Sequence, residues 1–107
     1  MIYEYRVYYA ALGKMDSLHR RFADHTIRIF GKHGIKVVGF WVTENKEEEV
    51  LNYLLAFDSI DRMKEQWAAF GSDPEWNRVK GESEKDGALV DKIESTTLYP
   101  TSYSPLK

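Results

Sequence analysis

Eight consecutive residues, Val50-Leu51-Asn52-Tyr53-Leu54-Leu55-Ala56-Phe57, carry one strongly polar side chain, Asn52. A run this short and this rich in β-formers reads as a strand, and its apolar residues fall on both faces. Such a strand belongs inside a sheet that is covered on both sides. The segment Lys36 to Glu44 has the same character: Val38, Phe40 and Val42 share one face, while Val37, Gly39, Trp41 and Thr43 share the other. Asn45 to Glu49 joins the two as a charged loop, with Lys46-Glu47-Glu48-Glu49 a solvated run. The pair is expected to form an antiparallel hairpin.

The remaining segments complete the pattern. Ile2 to Tyr9 predicts a strand with Tyr3, Tyr5, Val7 and Tyr9 on one face and Ile2, Glu4, Arg6 and Tyr8 on the other. Met15, Leu18, Phe22, His25 and Ile29 recur at steps of three and four, which predicts a helix from Met15 to His33 stopped by Gly34. Asp58 or Ser59 caps a second helix with the stripe Ile60, Met63, Trp67 and Phe70, closed by Gly71. Asp73-Pro74 starts a third, with an N-cap carboxylate and a proline where the first helical residue needs no N–H; Asn77 to Lys85 is its polar body. After a break at Asp86-Gly87, Lys92 to Tyr99 is the last strand.

The order β-α-β-β-α-(α)-β predicts an α+β fold of the ferredoxin-like split βαβ kind: a four-stranded antiparallel sheet with helices on one face. Residues 1–100 make the domain, and 101–107 are a short C-terminal tail. Helices on one face leave the other bare, yet the strands are apolar there too. A second copy of the same sheet is the simplest cover, so a homodimer is expected.

Composition narrows the function. Fifteen basic residues face seventeen acidic ones, and a net charge of -2 argues against nucleic-acid and anionic-membrane binding. With no cysteine the chain has no thiolate nucleophile, disulfide or cysteine metal site. His19, His25 and His33 are spaced by six and eight residues, which does not suit a shared metal ion on a helix. No Gly-rich phosphate loop or serine elbow is present, so no cofactor is expected. The charged start of the chain and the lack of any run near the ~20 apolar residues of a membrane span give a cytoplasmic expectation.

Several segments together resemble the NIPSNAP family, within the dimeric α+β barrel superfamily. They are Met1-Ile2-Tyr3-Glu4-Tyr5-Arg6-Val7-Tyr8, Gly13-Lys14 with His25 in the following helix, Val38-Gly39-Phe40-Trp41, Leu54-Leu55-Ala56-Phe57-Asp58-Ser59 and, most strongly, Ser72-Asp73-Pro74-Glu75-Trp76. Two positions depart from the family pattern: Tyr53 stands where members often carry His, and Leu55 where they carry Trp. The resemblance implies a homodimer whose sheets pack face to face, and no agreed reaction.

The candidate chemistry is small. His25, on the apolar stripe between Phe22 and Ile29, is expected to face a pocket between helix and sheet, where an imidazole can act as a base. Arg6 is expected either to pair with Glu4 or to hold a carboxylate ligand through its fork. Tyr5, Trp41, Tyr53 and Trp67 are placed as aromatic walls of the same cavity. His19-Arg20-Arg21 reads as a solvated helix face. These residues are compatible with three functions. The first is a homodimer of unassigned activity that binds a small apolar ligand. The second is a cofactor-free monooxygenase- or isomerase-type enzyme with His25 as base. The third is a protein-interaction module using the charged third helix.

Overall fold

The computed structural model describes residues 1–44 and 48–107; the expected charged loop falls in part on Asn45, Lys46 and Glu47, outside the described residues. Strand β1 (Ile2–Ala10) is followed by helix α1 (Met15–Arg21), a π turn (Phe22–Thr26) and helix α2 (Ile27–Lys32). Strands β2 (Lys36–Val42) and β3 (Val50–Phe57), helices α3 (Ile60–Gly71) and α4 (Pro74–Ser83) and strand β4 (Val90–Leu98) complete the chain. The strands form one sheet in the order β2-β3-β1-β4, and every neighbouring pair is antiparallel. This is the α+β, ferredoxin-like split βαβ arrangement that the order of elements predicts. Among the described residues no helix is long and apolar enough to cross a membrane.

All the helices lie on one face of the sheet. Ile2 and Tyr8 of β1 and Leu51, Tyr53, Leu55 and Phe57 of β3 form one core with Leu18, Phe22, Ile29, Phe30, Phe70 and Val79. Register fixes the opposite face. Tyr5 pairs with Leu54 and Val7 with Asn52 across β1 and β3, so these four side chains point away from the helices.

Local signals explain the helix ends. Gly34 has φ of 72°, and the Ile35 N–H donates back to the Phe30 carbonyl at 2.9 Å, the left-handed stop with its buried apolar partner. Ser59 accepts from the Arg62 N–H and caps α3. Asp73 accepts from the Glu75 and Trp76 N–H groups, and Pro74 opens α4.

Two local features depart from the periodic reading. The first helical stretch is not a uniform α-helix. In the π turn the Ile27 N–H bonds to the Phe22 carbonyl five residues back. The extra residue rotates the remainder of the stretch, so Thr26 at 2% exposure takes the inward place expected for His25. The Thr26 hydroxyl then donates to the Arg21 carbonyl at 3.2 Å. In β2 the register shifts between Val37 and Gly39. That bulge puts Val37 on the core side with Phe40 and leaves Val38 exposed, whereas strict alternation groups Val38 with Phe40.

Candidate functional site

On β1 the helix-facing side begins with Ile2 and then carries Glu4 and Arg6, two charged residues turned toward the core. A buried ion pair is tolerable only when its remaining hydrogen-bonding groups also find partners. Here they do. Arg6 Nη1 donates to Glu4 Oε2 at 2.8 Å, and the same oxygen accepts from the Ser95 hydroxyl of β4 at 2.5 Å. The other carboxylate oxygen accepts from the Trp67 indole N–H at 2.6 Å. Arg6 Nε donates to the Tyr53 hydroxyl at 2.9 Å and Nη2 to the Tyr8 hydroxyl at 3.2 Å. The guanidinium also lies 4.6 Å from the Trp67 ring centroid. One residue from α3, one from β3, one from β4 and three from β1 thus form a single polar cluster inside an aromatic core.

The electrostatics reflect that burial. Burial alone works against the Arg6 charge, but the Tyr53 and Tyr8 oxygens and the Glu4 carboxylate outweigh it and hold its pKa above the ordinary value. Burial pushes the Tyr53 hydroxyl well above the usual tyrosine pKa, with Tyr8 adding to the effect and Arg6 opposing it. Arg6 is therefore held as a cation and Tyr53 as a neutral donor at neutral pH.

Above this cluster lies a cavity of about 370 Å³, between the β1–β4 half of the sheet and the helices. Arg6 and Tyr8 form its polar floor, and Phe22, Phe30, Trp67 and Trp76 supply aromatic walls. Ile93 is half-exposed at its open side. Arg21 borders the cavity as well. It is 7% exposed, paired with Glu84 at 2.8 Å and stacked over Trp76. This corrects its expected place on a solvated face: the α1 register turns Arg21 inward, while His19 and Arg20 stay exposed. Its Nε is buried without an acceptor among the described residues.

Of the residues the sequence singles out, the fold brings together Arg6, Tyr53 and Trp67. Tyr5 and Trp41 lie on the opposite face of the sheet, where the Tyr5 hydroxyl donates to Asn52 and Asn52 reaches the Trp41 carbonyl. Neighbours on a strand point to opposite faces, so Tyr5 and Arg6 do not line one cavity. Trp41 packs against Gly39, where an added Cβ would stand 2.8 Å from the indole ring. His25 does not face the sheet. It is half-buried, 3.4 Å from Arg28, in a separate polar groove of about 330 Å³ against α4. The π turn is the reason. Tyr8 and Trp76 were missed as site residues; the alternation that puts Tyr8 on the Arg6 face was the available signal.

The NIPSNAP family model matches residues 3–105 of this chain. A NIPSNAP family protein of unknown function from Agrobacterium tumefaciens is 27% identical, with a TM-score of 0.86 over 100% of this chain and 94% of its own. A second NIPSNAP family protein from the same organism is 24% identical, with a TM-score of 0.87 over 99% and 98% of the two chains. A protein described as a putative antibiotic biosynthesis monooxygenase from Caulobacter crescentus is 16% identical, with a TM-score of 0.61 over 94% of this chain and 89% of its own, a likeness of fold alone. No protein of curated function matches the chain.

Proposed function

The chain belongs to the NIPSNAP family, and from that premise we propose that it is a homodimer binding a small apolar molecule in the cavity between sheet and helices. The observation that carries this reading is the cavity itself. At about 370 Å³ it falls in the range of ~300–1,000 Å³ typical of small-molecule sites. Its aromatic walls favour an apolar body, and its floor offers a few fixed polar groups to orient it. The floor is preorganised, because Arg6 is held by three hydrogen bonds and a ring face. His25 lies outside the cavity and has no part in this reading.

The dimer rests on the other face of the sheet. Tyr5, Trp41 and Leu98 are exposed there, beside Val7 and Leu54. A second copy laid on this face gives the double-sided cover that β3 requires.

Calorimetric titration with 2-isopropenylnaphthalene, an apolar probe of suitable size, tests the pocket. Binding at one site per chain is expected, and Ile93→Trp, which narrows the open side, should abolish it. Binding that is undetectable, or indifferent to Ile93→Trp, would overturn the reading.

A further inference from the structure

One hydroxyl hydrogen at the cavity floor has no acceptor among the described residues. Tyr53 is 0% exposed, and its hydroxyl meets only Arg6 Nε and the Tyr8 hydroxyl, each at 2.9 Å. Arginine donates and never accepts, so the Tyr53 hydrogen goes to Tyr8. The Tyr8 oxygen accepts a second bond from Arg6 Nη2 at 3.2 Å. Both of its lone pairs are then engaged, and its own hydrogen points away from Tyr53 and Arg6. Tyr8 is 9% exposed and borders the cavity. An oxygen brought in by a ligand can accept this hydrogen.

The neighbouring charges decide what kind of oxygen fits. Glu4 matches Arg6 and Glu84 matches Arg21, while Lys80, the remaining cation of the lining, is exposed to solvent, so the floor presents donors without a buried unmatched charge. Arg6 donates three of the five hydrogens a guanidinium carries, and the rest are donors too. An alcohol would bring a hydrogen of its own into a set of donors. A ketone or quinone oxygen accepts and brings none.

We propose that Tyr8 is a ligand-binding residue whose hydroxyl donates to the carbonyl oxygen of an apolar ketone or quinone seated in this cavity, a proposal that rests on the pocket reading above. The Arg6–Tyr53–Tyr8 chain polarises that donor: a cation donates into one hydroxyl, which donates into the next. The result is a fixed hydrogen-bond donor at the bottom of an aromatic slot, selecting its ligand by acceptor chemistry.

The test compares 2-acetylnaphthalene with 2-isopropenylnaphthalene, nearly the same shape with and without the carbonyl oxygen, by calorimetric titration. On the unaltered protein the ketone should bind about tenfold tighter, the worth of one hydrogen bond. In Tyr8→Phe the ketone should fall to the level of the hydrocarbon, and the hydrocarbon should be unchanged. Equal affinities on the unaltered protein, or a ketone advantage that survives Tyr8→Phe, would overturn the proposal and leave the pocket standing. Failure of both probes to bind, or binding that ignores Ile93→Trp, would remove the pocket and this proposal with it. Tyr8→Phe strands the Tyr53 hydrogen, so a variant that does not fold is met by infrared spectroscopy of the ketone on the unaltered protein. A carbonyl stretch lowered from its value in hexane is expected; a hexane-like value would overturn the proposal.

Discussion

Arg6 has a solvent-shielded charge on a β-strand, and most of the chain's distinctive chemistry stems from it. Its side chain is 17% exposed and that of Glu4 6%. Removing one partner of such a pair leaves the other charged and unmatched. Arg6→Met should therefore lower stability by ~3 kcal/mol. Glu4→Gln in the same chain should return part of that loss, since it removes the unmatched charge and keeps an acceptor for Trp67. Urea denaturation of the two single variants and the double checks both statements; strictly additive losses would argue against a coupled pair. Trp67→Phe keeps the aromatic packing but withdraws the indole N–H from Glu4, and should cost ~1.5–3 kcal/mol. At this scale the Glu4–Arg6 pairing was legible, because residues two apart on a strand share a face. The partners from β3, β4 and α3 were not, because only the folded register brings Tyr53, Ser95 and Trp67 to the same pair.

Among the elements, the start of α4 is the most strongly specified. The Asp73 carboxylate accepts two backbone N–H groups and also meets Lys32 at 2.7 Å and His33 at 2.6 Å from the end of the first helical stretch. Lys32, then His33, then the backbone donors hold its pKa well below the usual carboxylate range, against the opposing effect of burial. A depressed carboxyl contributes stability that is present above the ordinary value of ~3.9 and is lost as pH falls through its folded value. Asp73→Ala should lower the denaturation midpoint at pH 7, and the gap from the unaltered protein should narrow as pH falls toward 2. A gap of constant size would argue against the ionised cap. Asp73-Pro74 could be read from two adjacent residues because capping is local. The π turn at Phe22–Thr26 and the bulge in β2 could not. Each inserts one residue into a periodic pattern whose side-chain types remain compatible with the regular element, and each moves a predicted residue, His25 or Val38, to another face. The two-sided apolar character of β3 was read correctly, since it depends on composition and not on phase.

At the scale of the whole molecule, one face of the sheet carries the helices and the cavity, and the other carries exposed apolar side chains. The apolar open face was legible because β2 and β3 carry apolar residues on both faces instead of alternating cleanly, and the order of elements was enough to give the fold class. Leu54→Asp places a charge on the open face, on a strand whose other face belongs to the core. If the proposed dimer forms through this face, the unaltered protein should sediment as two chains per particle and Leu54→Asp as one; a single chain per particle in the unaltered protein would contradict the dimer, and an unchanged mass in the variant would contradict this face as its contact. The cavity was less legible, because aromatic content does not reveal which face a ring occupies: Trp67 reaches the cavity, while Trp41 packs against Gly39 on the other side. The most direct measurement is a crystal structure of the protein grown with 2-acetylnaphthalene. Density for the naphthyl ring between Phe22, Phe30, Trp67 and Trp76, with the ketone oxygen within hydrogen-bond distance of the Tyr8 hydroxyl, is the predicted result. A cavity filled by collapsed side chains, with the probe absent or held on the outer surface, would contradict it.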